Sequence, residues 1–549
     1  MVSSNGRTWI RWIGFRAGIA GIALLFSVTV GLLLFAAPAA FAAGGSCPTG
    51  ANYVNPANPT EPLVTLASFG ITSCFYASKS AGADTNAGTT EAAPWAHIPG
   101  MASCTGTCAS TTPGPGEGFI LKGGDHWVAS DMPVVFVGTN GTSGSPIYIG
   151  VDLTWSTGSS WARPIFDCQS TQCGSRAQTQ LNTAYTTIDY IESTGLRFIT
   201  ETQKGVEVTN ANDVAERMYF HGWSHDPSWG GAQDDGRGFT MGANGGTVTT
   251  FRFNVADGSD TSKDMMGGAD DSDNVYDNVF EYVYNGVRGH HNDVHGNLIA
   301  HLIIDLGGDH ANGISVFGPS AGFTTLYIYN NVITDDSLAA GSEILWAMSN
   351  GNYTGDNSYI YNNVLYNVGR GIDVGDHPSN SGGTFWIYNN TITPNGLSYC
   401  FGNGETPPRN TLNYANNHCI DTSTTCLSTG VTCNNLGGNL VQTFAQANSN
   451  LSAHFDQYTK SETFVYSPLA STNSTVGAGN NLTSSCSGNV AALCSDTTYP
   501  IYDAVNHVVV MRTVKPRPAN GAWDIGAYEY SSAQGSAPSA PTGLAAVVH

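Results

Sequence analysis

Arg288, His290, His291, Asp293 and His295 crowd a guanidinium, three imidazoles and a carboxylate into eight residues. More than half of the fourteen histidines lie between His221 and His377. Asp309 and His310 precede Ser315, Asp376 and His377 follow Asp373, and the stretch from His221 to Gly238 adds His225, Asp226, Trp229, Asp234 and Asp235. Imidazoles and carboxylates at this density suit proton transfer near neutral pH. The run G-A-D-D-S-D-N places Asp270, Asp271 and Asp273 close enough to offer oxygen ligands to a hard cation such as Ca²⁺. Each group also has a structural reading: a solvated turn, an ion pair, or a loop histidine satisfied by backbone groups.

The elements that must position these residues repeat. Y-I-Y-N-N-V-I-T at Tyr327 to Thr334 returns closely at Tyr359 to Tyr366 and at Trp386 to Thr393. Each copy is a short alternating strand, an Asn-Asn corner and a second β-branched strand, so Ile328, Ile360 and Ile387 are expected to point the same way. Asn tolerates the left-handed backbone that a tight corner requires. The second Asn of each pair gives a series Asn331, Asn363 and Asn390, continued by Asn417 and, in looser copies, by Asn297, Asn278 and Asn254. Unequal intervals between these positions suit a solenoid with variable loops. Stacked strands would lie about 4.8 Å apart, with the Asn amides bonded in a column.

A second pattern, x-Gly-apolar-x-apolar, recurs at Lys204–Val208, Arg237–Met241, Asn312–Val316 and Arg370–Val374. Aligning these segments predicts one outward column of Glu207, Thr240, Met266, Arg288, Ser315, Leu345, Asp373 and Ser398. The charged clusters surround that column.

With its Asn corners, this organisation resembles the right-handed parallel β-helix proteins of the pectate-lyase-like superfamily, over roughly residues 74 to 530. C-F-Y-A-S-K-S-A-G-A-D-T-N-A-G-T-T-E-A-A-P-W from Cys74 is similar to the capping strand and turn of secreted bacterial β-helix proteins. R-P-A-N-G-A-W-D-I-G-A-Y-E-Y from Arg517 is similar to their closing segment. The fold expected is therefore all-β, a right-handed parallel β-helix solenoid with an asparagine ladder. The capping region would cover 43–118 and the helix 119–530, with the closing segment covering the last coil. The tail 531–549 reads as a Ser/Pro/Ala-rich linker, its A-P-T-G-L resembling a first fibronectin type III strand.

The resemblance implies a polysaccharide lying along the outward column. Elimination from a uronic-acid polymer needs a base, for which Arg288 or His290 serves, and a positive neutraliser such as Ca²⁺ on Asp270, Asp271 and Asp273. Hydrolysis instead needs two carboxyl groups, about 5–5.5 Å apart for retention or about 6.5–9.5 Å for inversion. Asp373 with Asp376, or Asp309 beside His310, would then act. Glu207, Trp229, His291, Ser315, Trp346 and His377 are the substrate-contacting candidates, the indoles by stacking on sugar rings. A non-catalytic polysaccharide-binding or adhesive rod uses the same surface, and Met266 and Leu345 in the column fit it.

Arg7, Arg11 and Arg16 precede an apolar run from Ala17 to Phe35 and an Ala40-Phe41-Ala42 end, which reads as a secretory signal over 1–42. No other stretch is long and apolar enough to span a membrane, so the mature chain is expected to be extracellular and monomeric. Acidic residues number 42 against 20 basic ones, which excludes nucleic-acid binding through backbone phosphates. Twelve cysteines in an exported chain favour disulfides, with Cys104–Cys108, Cys168–Cys173 and Cys486–Cys494 as local staples.

Overall fold

The computed structural model describes residues 44–53, 63–199, 202–225, 238–244, 247–261, 266–303, 312–320, 323–334, 344–346, 357–374, 383–394, 399–402, 410–422, 424–427, 432–449 and 466–530. The expected signal at 1–42 and the tail at 531–549 lie outside them. Among the described residues no helix is long and apolar enough to cross a membrane.

Three long sheets share one winding pattern. A coil passes through the first sheet, turns a corner into the second, loops to the third and returns: Thr250–Arg252, Val255–Asp257 and Gly267–Asp270 make one such coil. The sheets hold 14, 13 and 11 strands, and successive coils pair in parallel. The fold is a right-handed parallel β-helix.

Alternation along each strand decides what fills it. In the first sheet Val275, Val294, Ile328, Ile360 and Ile387 pair in sequence, all fully buried. Phe280, Ile299, Ile333 and Leu365 form the matching stack in the second sheet, and Val287, Ile314, Ile344 and Ile372 in the third. Each such side chain contributes about 1.5–3 kcal/mol on burial.

The asparagine ladder is continuous from Asn254 through Asn278, Asn297, Asn331, Asn363, Asn390 and Asn417, and extends to Asn439. Each Nδ2 donates to the next Oδ1 at 2.9–3.0 Å. Each Oδ1 also accepts the backbone N–H of the preceding ladder residue, so the side chain completes the corner's own hydrogen bonding. The two residues of the pair divide the work. The first takes the left-handed conformation, as at Asn330, Asn362, Asn389 and Asn416 with φ between 52° and 58°, and the second makes the ladder.

At the N-terminal end, Asp84 accepts the amides of Ala96, His97 and Thr105 and faces the His97 ring at 2.8 Å. The turn at Asp84–Gly88 is thus tied by hydrogen bonds. Gly88, at φ 70°, must lack a side chain, because a Cβ there would lie 2.3 Å from the Trp95 ring. All twelve cysteines are paired: Cys47–Cys74, Cys104–Cys108, Cys168–Cys173, Cys400–Cys419, Cys426–Cys433 and Cys486–Cys494.

The closing segment departs from expectation. Instead of covering the last coil, residues 466–530 lie along the outside of many coils. Trp523 packs with Tyr361 and Tyr388, Arg517 donates to Asn362 Oδ1 at 3.2 Å, and Gly526 donates to the Asn416 carbonyl at 2.7 Å. Its hairpin, Ile501–Asp503 with Val508–Val510, reaches early coils: Tyr502 donates to Asp257 at 2.9 Å and His507 stacks on Tyr219 at 3.9 Å. The physical cause is the outer face itself. Tyr327, Tyr329, Tyr359, Tyr361, Trp386 and Tyr388 point away from the core and would leave a broad apolar surface bare.

Candidate functional site

The outward column of the third sheet runs Gln180, Glu207, Gly242, Asp270, Arg288, Ser315, Leu345, Asp373, Gly402, one residue per coil. It alternates with the buried stack Val206, Met241, Ala269, Val287, Ile314, Ile344 and Ile372. Thr240 and Met266 are not in it. Lys204 pairs with Phe239, so the coil at 239–243 is registered two residues later than its Gly-apolar pattern suggested. Thr240 is buried with its hydroxyl donating to the Gly268 carbonyl at 2.6 Å, and Met266 belongs to the core. The correction places Asp270 beside Arg288 and leaves Gly242 between Glu207 and Asp270. Ser398 lies outside the described residues.

Three polar side chains of this column are buried, while Asp270 and Arg288 are partly exposed. Glu207 is 3% exposed, Ser315 3% and Asp373 4%. Glu207 Oε1 accepts from Arg176 at 2.5 Å and from Asn244 at 3.3 Å. Asp373 has the Arg370 guanidinium at 3.6 Å and accepts from Tyr399 at 3.4 Å. The Arg288 guanidinium lies 5.5 Å from the centre of the Phe317 ring, where the ring quadrupole favours a cation.

Lys204 spans two coils. Its chain crosses the face of Gly242 to place Nζ 2.6 Å from Asp270, above the Phe239 ring at 4.6 Å. A Cβ at Gly242 would come within 2.4 Å of Lys204 Cε, so only glycine leaves this path open. Sequence reasoning missed Lys204 and Gly242. The available signal was that Lys204 opens K-G-V-E-V, but the misplaced register hid its partner.

The histidines separate into two environments. His290 donates its amide to Asp271 at 2.9 Å with its ring at 3.3 Å. Burial works against the Asp271 carboxylate, but donation from the His290 ring and amide outweighs it and holds the carboxyl down at about 2. His291 is fully buried, its ring between the carbonyls of Ser272 and Arg288, and burial pushes its pKa down.

The three carboxylates read as a cation loop have separate partners. Asp270 meets Lys204, Asp271 meets His290, and Asp273 accepts the Thr249 amide at 3.0 Å and Asn292 at 3.2 Å. Among the described residues no group of three or more metal-ligating side chains is gathered to hold an ion. As placed, these residues do not form an oxygen cage for Ca²⁺.

Trp346 takes the register position of Val316 and Val374, but its side chain, like that of Leu345, lies outside the description. Trp229, Asp309, His310, Asp376 and His377 also lie outside the described residues.

No family model matches the chain, and no curated protein matches it. Among solved structures it is similar to pectate lyase Pel9A, with a TM-score of 0.45 and 18% identity, covering 83% of this chain and 96% of that one. It is similar to the GH136 lacto-N-biosidase from Eubacterium ramulus, with a TM-score of 0.41 and 15% identity over 66% of this chain and 68% of that one. A rhamnogalacturonan lyase matches at 0.35 and 13%, over 66% and 85%.

Proposed function

We propose that the chain is exported and acts on an extracellular polysaccharide laid along the outward column of the third sheet, cleaving it by elimination at an acidic sugar. The observation that carries this reading is the line of Glu207, Asp270, Arg288, Ser315 and Asp373, which with Gly242 and Leu345 between them stand one per coil at about 4.8 Å in the third sheet. A solenoid face with that step offers an extended polymer a row of adjacent subsites. Six disulfides support an oxidising destination.

In the coil of Arg288, that residue and His290, two positions on, carry the elimination, one taking the proton beside the substrate carboxylate and the other holding that carboxylate's charge. Hydrolysis would instead draw on Asp309, Asp373 and Asp376. A binding rod would keep the row and lack turnover, and the cation partners of Glu207, Asp270 and Asp373 fit that second reading.

The test is turnover of acidic and neutral polysaccharides, with and without Ca²⁺, followed by ultraviolet absorbance and by reducing ends. New absorbance from an unsaturated uronate, lost in Arg288→Ala with the melting temperature held, is the expected result. Reducing ends without absorbance shift the reaction to hydrolysis. Retention without turnover leaves the rod, and neither retention nor turnover removes the reading.

A further inference from the structure

The coil of Arg288 departs from regular pairing at one point. Gly289 pairs with Val316 but His290 pairs with Gly318, so Phe317 is passed over as a bulge. Bulges of this kind re-aim side chains beside active sites. Here the Phe317 ring meets two of them: the Arg288 guanidinium lies 5.5 Å from its centre, and the His290 ring meets it edge-on at 6.1 Å.

Asp271, one coil earlier, holds His290. Its Oδ1 accepts the His290 amide at 2.9 Å and faces the ring Nδ1 at 3.3 Å. A Cβ on Gly289 would lie 2.4 Å from that oxygen, so the contact needs a bare position there. A carboxylate oxygen only accepts, so the ring proton sits on Nδ1 and Nε2 carries the lone pair. Among the described residues Nε2 has no hydrogen-bond partner, and the ring is partly exposed. Arg288 cannot exchange roles with His290. A guanidinium keeps its protons in a folded protein, and the Phe317 ring favours it as a cation.

We infer that Asp271 is a positioning residue that fixes His290 as the Nδ1–H tautomer, making Nε2 the base of the elimination and Arg288 the group that holds the substrate carboxylate. The inference rests on the elimination reading above and divides its two roles. Nε2 takes the proton from the carbon beside the carboxylate, and the C–H electron pair becomes a double bond to the next carbon, which bears the glycosidic oxygen. The C–O bond breaks with its pair on that oxygen, which takes a proton from water. The imidazolium then returns its proton to the hydroxide so formed. Removing a carboxylate that sets an imidazole's tautomer lowers kcat even where the geometry is kept.

The experiment reads the ring nitrogens of the full chain by nitrogen NMR of labelled histidines, with His290 assigned by the signal that His290→Gln removes. It also follows ultraviolet turnover of polygalacturonate, alginate and hyaluronate. In the neutral wild-type ring the proton is expected on Nδ1. In Asp271→Ala that preference is expected to be lost, with kcat at least tenfold lower and KM within twofold. Should Asp271→Ala fail to fold, the wild-type spectrum alone decides. A wild-type ring with its proton on Nε2 overturns the inference and leaves elimination to another base. Unchanged kcat in a folded Asp271→Ala overturns it too, while wild-type turnover keeps the elimination reading. A wild-type chain that forms no unsaturated product from any of the three polymers overturns both.

Discussion

Asn363→Leu tests the ladder at its centre with a side chain of nearly the same size, so lost hydrogen bonds dominate over lost volume. Asn363 Nδ2 donates to the Ile328 carbonyl and to Asn390 Oδ1, both at 3.0 Å, and its Oδ1 accepts the backbone N–H and Nδ2 of Asn331, both at 3.0 Å. Leucine removes all four. Asn390 Oδ1 keeps the residue 363 amide and Asn331 Nδ2 keeps the Val294 carbonyl, but the Ile328 carbonyl and the Asn331 amide lose these partners inside a sealed corner. At about 1 kcal/mol for each net bond, the loss is about 4 kcal/mol. In a stacked solenoid that loss is felt first by neighbouring coils. Amide hydrogen exchange is the suitable assay, and faster exchange is expected across the strands on either side of residues 331, 363 and 390. Asn362→Gly is the control, because glycine keeps the left-handed corner that Asn362 occupies at φ 56°. Asn362 faces outward, donating to the Ser495 carbonyl at 2.9 Å and accepting from Arg517, so its loss loosens the outer segment and leaves the ladder intact. Exchange in Asn363→Leu that matches wild type at Asn331 and Asn390, or a loss below about 1 kcal/mol, would refute the claim that these amides bear on stability.

Three further outcomes follow from the packing. Gly242→Ala drives a methyl group into Lys204 and separates it from Asp270, so a melting temperature lowered by a few degrees is expected, and an unchanged melt would show that Lys204 reaches Asp270 by another path. Arg217→Met strips the buried Asp189 of two bonds at 2.8 and 2.7 Å and Glu216 of one at 2.6 Å; a loss of about 3–5 kcal/mol in denaturant unfolding is expected, and a neutral result would show these acids to be solvated. Burial pushes His221 down, but hydrogen bonds from its ring to Asp260 at 2.8 Å and Glu192 at 3.1 Å outweigh burial and bring it up to about 9. A raised histidine stabilises fully below its unfolded value near 6.5 and loses that contribution as pH climbs to about 9. The linkage is at most about 3 kcal/mol and is reduced by solvent at half-exposed Asp260. Melting temperature should therefore fall between pH 6.5 and 9 more steeply in the wild type than in His221→Gln, and equal slopes would discount the pair.

The ladder was legible because a stacked corner constrains two adjacent positions at once, one by backbone conformation and one by amide chemistry, and Asn-Asn satisfies both. Asn439 escaped notice because glycine, not asparagine, fills the left-handed position before it. The third-sheet column was read correctly at Glu207, Arg288, Ser315, Leu345 and Asp373 and wrongly at Thr240 and Met266. Gly238-Phe239 imitates Gly205-Val206, yet Phe239 belongs outside the stack, where its ring meets the Lys204 ammonium. Periodicity cannot separate an apolar residue facing the core from one facing a cation. Cys104–Cys108, Cys168–Cys173 and Cys486–Cys494 were visible in spacing; Cys426–Cys433, equally local, was hidden because Cys419 lies as near to Cys426, and Cys47–Cys74 and Cys400–Cys419 join strands whose neighbourhood only the coil defines.

The outer segment has a consequence for biogenesis. A solenoid can stack coil upon coil as the chain leaves the ribosome, since each needs only its predecessor. Residues 466–530, however, bind partners as early as Arg163, which donates to the His507 carbonyl at 3.1 Å, and as late as Asn448, whose Oδ1 accepts from Tyr466 at 3.2 Å. The last part of the described chain to be synthesised thus seals surfaces laid down near the beginning. Until it docks, a stripe of tyrosine and tryptophan stays open to chaperones, proteases and other nascent chains, and maturation of the whole rod waits on its final stretch.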